Sequence, residues 1–358
     1  MPPHSQPFPL PENFPPTNTL FFPAAANRAE DATTTSTLVF FLPGNPGLVE
    51  YYTAFLSQLS ALNPQLTVLG ASHAGFSPDH PPVLHTGWAW KWGAPPWGLD
   101  AQVAMKKELL LHAVAHVRPR RVVLVAHSMG AFLALELLSQ LSRSRQRQPQ
   151  QPQQPPPPQV EVAGGIMLFP TVMEIAQSPQ GQLMAPFLAS RAVRAIARWA
   201  SGALLLLAVL LSPLLPPSYR HRFLDAVVRL ATAQTPHAAT VTRRFVCAPH
   251  AVEQALTLAA EEMVAIAADR WADEVWNAGG LLPLPKEDDG GRGRGGMLFV
   301  FGRKDRWVAE TTRQAIMAKP RGGARMIVEE RGLPHSFCIH HGEEVAELCT
   351  GWLGDILG

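Results

Sequence analysis

Six runs of apolar, largely β-branched and aromatic residues recur along the chain, at 37–42, 66–70, 121–125, 162–169, 297–301 and 325–329, and segments of helical period lie between most of them. A run that is apolar throughout, rather than at every second position, belongs to a strand buried on both faces. Strands that alternate with helices pair in parallel through crossover connections. The pattern predicts an α/β fold with an open, mostly parallel central sheet and helices on both faces. Binding sites on such a sheet lie beyond the C-terminal ends of its strands. With 47% hydrophobic residues among 358, the chain can fill a core of that size.

Two low-complexity tracts interrupt the alternation: a Gln/Pro tract at 146–159, and a Pro-, acid- and Gly-rich stretch within 278–296. Both read as surface insertions, the second as a flexible linker. Between them, 172–277 is a helix-rich block too long for an ordinary connection, which predicts a cap over the site. The sheet domain is assigned to 37–171 and 297–358, and the proline-rich 1–36 to a flexible N-terminal extension. That N-terminus has neither the basic start nor the apolar stretch of a secretory leader, and Cys247, Cys338 and Cys349 form no paired framework. Both features predict an intracellular, reducing setting. A formal net charge of +2 is too balanced for a nucleic-acid partner, and Arg292-Gly293-Arg294-Gly295-Gly296 reads as solvated linker.

The third run leads into Ala126-His127-Ser128-Met129-Gly130, followed by a helix-like segment: the layout of a strand, a sharp elbow and a helix. A serine hydroxyl is unreactive at neutral pH. It becomes a nucleophile when held clear of its neighbours, beside a base and facing oxyanion donors. Small residues two before and two after let the backbone turn that tightly, in the pattern G-x-S-x-G, of which Ala126 replaces the first glycine. The alternative for Ser128 is a helix N-cap. The flanking strand and helix favour the nucleophile.

In serine hydrolases built on such a sheet the chain order is serine, acid, histidine. With 13 histidines present, position is the selector. His335, in Leu333-Pro334-His335-Ser336-Phe337 after the last run, is the candidate general base, whereas His340 and His341 at the start of the final helix read as capping or surface residues. Asp305 follows the run at 297–301 and is the candidate acid, which would fix the imidazole tautomer. The bland alternative for Asp305 is a surface ion pair with Lys304 or Arg306. In the loop Leu42-Pro43-Gly44-Asn45-Pro46-Gly47 the prolines lack an N–H, leaving Gly44, Asn45 and Gly47 as donors. The predicted oxyanion hole pairs the amide of Met129 with that of Asn45. This chemistry requires no cofactor and no metal. Cys247 and His250 have ligand types but are only two, and read as structural.

With these residues in place, the chain resembles the lipid droplet-associated hydrolase family of the α/β-hydrolase superfamily. The similarity is carried by Leu42-Pro43-Gly44-Asn45-Pro46-Gly47 with Tyr51-Tyr52, by Ser72-His73-Ala74-Gly75 and the elbow, by Leu168-Phe169-Pro170-Thr171 and Ser178-Pro179-Gln180-Gly181, and by Asp305-Arg306-Trp307 and Leu333-Pro334-His335-Ser336-Phe337. It implies an α/β-hydrolase fold, Ser128, Asp305 and His335 as the triad, and an esterase or lipase acting on a lipid ester. The implied setting is the lipid droplet surface, with the endoplasmic reticulum as a second intracellular membrane. Ala126 and the two low-complexity insertions depart from the family.

Within the cap, 199–217 carries no charge; Arg191, Arg194 and Arg198 precede it, and Arg220 and Arg222 follow. The segment is too short and too broken by Pro213, Pro216 and Pro217 to span a bilayer. Basic residues on both sides predict a monotopic insertion into a lipid monolayer. The other reading is a buried helix lining an acyl groove; both favour a lipophilic substrate. Trp88, Trp90, Trp92 and Trp97 crowd one Gly/Pro-rich loop, at the site mouth, at an interface or as plain packing.

Overall fold

A computed structural model of the chain describes residues 4–25, 37–79, 94–146, 161–210, 217–276, 296–319 and 323–358. All six apolar runs are strands: β2 (Thr37–Leu42), β3 (Leu66–Ala71), β4 (Arg121–His127), β5 (Val162–Leu168), β6 (Gly296–Gly302) and β7 (Arg325–Glu329). β2, β3 and β5 are buried at every position, as strands covered on both faces must be. The sheet order is β1-β3-β2-β4-β5-β6-β7, parallel from β3 to β7.

The N-terminal segment differs from its expectation. Thr19–Phe22 forms β1, antiparallel to β3, and Phe8, Phe14, Leu20 and Phe22 are buried in the same core. The exposed edge of β3 explains this, because a row of unpaired backbone groups is satisfied by even four added residues. The prolines before Thr19 hid the strand without preventing it.

The chain reverses direction across the sheet at β2, whose neighbours are β3 on one side and β4 on the other. Right-handed crossovers running in opposite directions put their helices on opposite faces. Accordingly α1 (Thr53–Leu62), between β2 and β3, packs against the last helix, while α2 (Leu99–Val117), between β3 and β4, packs against α3 (Met129–Gln146). The reversal opens a crevice beyond the C-terminal ends of β2 and β4, which are paired in register Leu42 with Ala126.

Between β5 and β6 come α4 (Pro179–Ala189), α5 (Arg191–Leu210), α6 (Pro217–Thr232), α7 (Pro236–Val246), α8 (Pro249–Ala265) and α9 (Asp273–Trp276). α8 packs on α4, α5, α7 and α2, and so ties this helical block to the sheet domain. Trp276 is fully buried against Phe299 of β6, with ring centroids 5.0 Å apart. α10 (Glu310–Ala318) and α11 (Gly342–Leu357) complete the fold. The Gln/Pro tract from 147 and the linker from 278 to 295 lie outside the described residues, as do Trp88, Trp90 and Trp92. Trp97 is buried packing: its N–H and C=O are both bonded to the Gln254 amide.

Candidate active site

Ser128 stands at the end of β4, one residue before α3, with φ of +53°. A non-glycine residue in that region costs of order 1–3 kcal/mol and persists where its surroundings over-determine it. Here the turn is locked on both sides, since the Ser128 N–H donates to Leu168 and its carbonyl accepts from Ala131 and Thr171. The glycine two residues on is dictated by space. A Cβ at Gly130 would stand 2.3 Å from the Leu42 carbonyl oxygen and 2.6 Å from that of Pro43. Gly44 is constrained likewise, a Cβ there meeting the Ser128 Cβ at 2.9 Å. The two loops of the crevice are thus in backbone contact. Ala126, the motif's departure, is fully buried.

Parallel registry brings the other two candidates to the same rim. β5 pairs Leu168 with Val300 of β6, and β6 pairs Gly302 with Glu329 of β7, so the loops carrying Asp305 and His335 leave the sheet side by side. The Ser128 hydroxyl lies 2.9 Å from His335 Nε2, and His335 Nδ1 lies 2.7 Å from Asp305 Oδ2. A carboxylate accepts only, so Nδ1 carries the hydrogen and Nε2 presents its lone pair to the serine. The other Asp305 oxygen accepts from the Trp307 N–H at 2.8 Å. No ion pair joins Asp305 to Lys304 or Arg306 among the described residues, and its side chain is 3% exposed.

The model of a family described as lipid-droplet associated hydrolase matches residues 35–338. The chain belongs to this family. The lipid droplet-associated hydrolase of Gallus gallus is 28% identical over 324 residues, covering 89% of this chain and 85% of the relative. The Homo sapiens protein of the same name is 23% identical over 328 residues, with coverages of 89% and 85%. Among solved structures, wild-type DBJA superposes with a TM-score of 0.52 at 12% identity over 95% of each chain. A variant of the meta-cleavage product hydrolase CumD gives 0.50 at 14% identity over 95% and 94%. These structures establish the α/β-hydrolase fold.

In this member of the lipid droplet-associated hydrolase family, the candidate oxyanion donors meet different fates. The Gly44 N–H donates to the Tyr52 hydroxyl at 3.1 Å and is spent. The Asn45 N–H donates to no backbone carbonyl among the described residues, and Met129 opens α3, so its N–H has no intrahelical partner. The Asn45 side chain faces the helical block instead: its Nδ2 donates to the Ala255 carbonyl at 3.1 Å and to Glu262 Oε1 at 2.7 Å, both on α8. Burial pushes the Glu262 carboxyl up to about 8, against the opposing pull of the Asn45 bond.

Several partners were not legible in the sequence. Glu329, at the end of β7, is buried and accepts from the Arg331 and Leu333 amides, shaping the loop that carries His335. The Gln180 amide donates to Arg306 at 2.8 Å, joining α4 to the Asp305 loop. His341 stands at the N-cap position of α11 without a capping bond, and its ring meets Glu344 at 3.2 Å. His250 Nε2 donates to Ser77, a structural contact, and no cluster of metal-ligating side chains occurs among the described residues. Cavities of about 650 and 930 Å³ lie beside α5 and α6, and Ser128, Asp305 and His335 line neither.

Proposed function

We propose that the protein is a serine ester hydrolase acting on lipid esters at the surface of lipid droplets. The observation that carries this reading is the relay of 2.9 Å and 2.7 Å from Ser128 through His335 to Asp305 at the switch crevice of the sheet. Ser128 Oγ attacks the acyl carbon as its proton passes to His335 Nε2. The carbonyl oxygen, now an anion, takes hydrogen bonds from the amides of Met129 and Asn45. His335 then protonates the departing alcohol oxygen, leaving an acyl-serine. A water molecule gives its proton to His335, adds to the acyl carbon and releases the acid, and the proton returns to Ser128. Asp305 holds the ring in the productive tautomer and stabilises its cationic form. No step calls on a metal or cofactor.

The family's name and the cap surface together support the droplet setting. Leu183 and Phe187 on α4 and Ile196 and Trp199 on α5 are exposed, Trp199 by 79%. Arg191, Arg194 and Arg198 share α5 with them, a composition suited to a monolayer whose headgroups are partly anionic. Among the described residues no helix is long and apolar enough to cross a membrane. The docking element proposed is the apolar 199–217 segment, whose side chains from 204 onward lie outside the described set.

The deciding experiment labels the purified chain with a fluorophosphonate and screens triacylglycerol, sterol ester and acyl-CoA hydrolysis beside Ser128→Ala. Labelling and turnover that both vanish in Ser128→Ala support the reading. An unlabelled wild type, or hydrolysis that survives the substitution, overturns it and leaves a droplet-bound scaffold as the alternative.

A further inference from the structure

The residue before the nucleophile occupies a position that the elbow pattern leaves free, yet its side chain is bonded to two other segments of the site. His127 is buried, with both ring nitrogens engaged. Its Nε2 lies 2.9 Å from the backbone carbonyl of His335, and its Nδ1 lies 2.7 Å from the Tyr52 hydroxyl. A carbonyl can only accept, so Nε2 carries the hydrogen; Nδ1 is then a bare acceptor, and Tyr52 donates to it. The Tyr52 oxygen in turn accepts the Gly44 N–H at 3.1 Å. One directed chain therefore runs from the loop after β2, through Tyr52 and His127, to the main chain of His335. It joins the segment after β2, the elbow after β4 and the loop that carries His335.

The chemistry of the surroundings keeps this chain in one state. Burial and the neighbouring His335 hold the His127 ring well below its ordinary value, and burial holds the Tyr52 phenol well above its own. A neutral imidazole beside a neutral phenol has one tautomer that satisfies both ends. The rings of Tyr52, Phe169, Phe337 and His335 surround His127 with centroids 5.0 to 6.2 Å away, which removes other orientations.

We propose that His127, seated by Tyr52, is a positioning residue that clamps the main chain of His335 and thereby sets the hydrogen bond from Ser128 to His335 Nε2. The proposal rests on the serine-hydrolase reading above. His127 touches no reacting atom; it acts through the residue it holds. A displacement of about 1 Å at a reacting group can cost on the order of 100-fold in rate.

Three variants test the clamp. An Asn side chain at 127 overlays Nδ1 of the imidazole and a Gln side chain overlays Nε2, so His127→Gln retains a donor towards the His335 carbonyl and His127→Asn lacks it. Tyr52→Phe removes one oxygen from the far end of the chain. With a soluble ester, His127→Asn is expected to lower kcat and the rate of fluorophosphonate labelling at Ser128 by about 100-fold with KM within twofold, and His127→Gln to recover most of the loss. Tyr52→Phe should show a smaller loss that does not multiply with that of His127→Asn. If His127→Asn does not fold, Tyr52→Phe against Tyr52→Phe with His127→Gln carries the test. Folded variants that label at the wild-type rate, equal losses in the Asn and Gln variants, or multiplying losses overturn the clamp while leaving the hydrolase standing. A wild type without Ser128-dependent labelling overturns both.

Discussion

The carboxyl of Glu262 on α8 sits 2.7 Å from the side-chain amide of Asn45, so a residue of the helical block between β5 and β6 holds the loop that follows β2. On its other side the same loop is packed closely on the elbow at Ser128, through Gly44 against Ser128 and Gly130 against Leu42 and Pro43. The candidate oxyanion donor is therefore gripped between two parts of the fold that the chain joins only after β5.

Glu262 gives this contact a pH signature. In the folded chain its carboxyl keeps its proton up to about 8, whereas the ordinary value is 4.5. Between those values the folded state binds more protons than the unfolded one, so stability falls as pH rises and levels off above pH 8. The slope from this group is at most about 1.4 kcal/mol per pH unit. Glu262→Gln keeps an acceptor for Asn45 and cannot ionise, so the variant should lose that slope and gain on the wild type from pH 5 to pH 8. Urea unfolding at pH 5, 6.5 and 8 measures it, and parallel curves for the two proteins would refute the burial effect.

Asp305→Asn leaves a group that can still meet His335 but no longer enforces the Nδ1–H tautomer. Turnover of a soluble ester should fall around ten thousand-fold with KM little changed, as for the corresponding change in serine proteases. Steady-state kinetics read this directly; a loss below tenfold would return Asp305 to a structural role.

The two small positions of the elbow should respond unequally. Gly130→Ala drives a methyl into two backbone carbonyls, which flexible side chains cannot relieve, and should destabilise by about 1–3 kcal/mol or more with loss of labelling at Ser128. Ala126→Gly removes one buried methyl and adds backbone freedom, costing about 1 kcal/mol with activity retained. Thermal melts and labelling of both variants compare the two, and equal tolerance would contradict the packing at Gly130.

The exposed face of α5 should decide where the protein sits in the cell. Ile196→Glu with Trp199→Glu places two charges on the face where Ile196 is 65% exposed and Trp199 is 79% exposed. A fluorescent fusion carrying both is expected to move from droplets to the cytosol. Unchanged droplet targeting would exclude this face as the docking surface.

Six strands, their parallel pairing and the elbow around Ser128 could be read from the order of residues alone, because burial on both faces writes a continuous apolar run and a tight turn demands small neighbours. Asp305 and His335 were reachable for a related reason: strand ends and chain order leave few positions for them. β1 was not, since four residues after a proline-rich lead carry too little periodicity, and the open edge of β3 is what recruits them. Nor could Tyr52, His127, Glu262 and Glu329 be assigned their partners, which lie 2 to 217 positions away along the chain. Local sequence determines which segments become strands and turns, because those preferences act within a few residues. Which side chains then meet depends on strand registry and on where the cap comes to rest. Only the folded chain supplies that, because a hydrogen bond is sensitive to tenths of an ångström and indifferent to separation along the backbone.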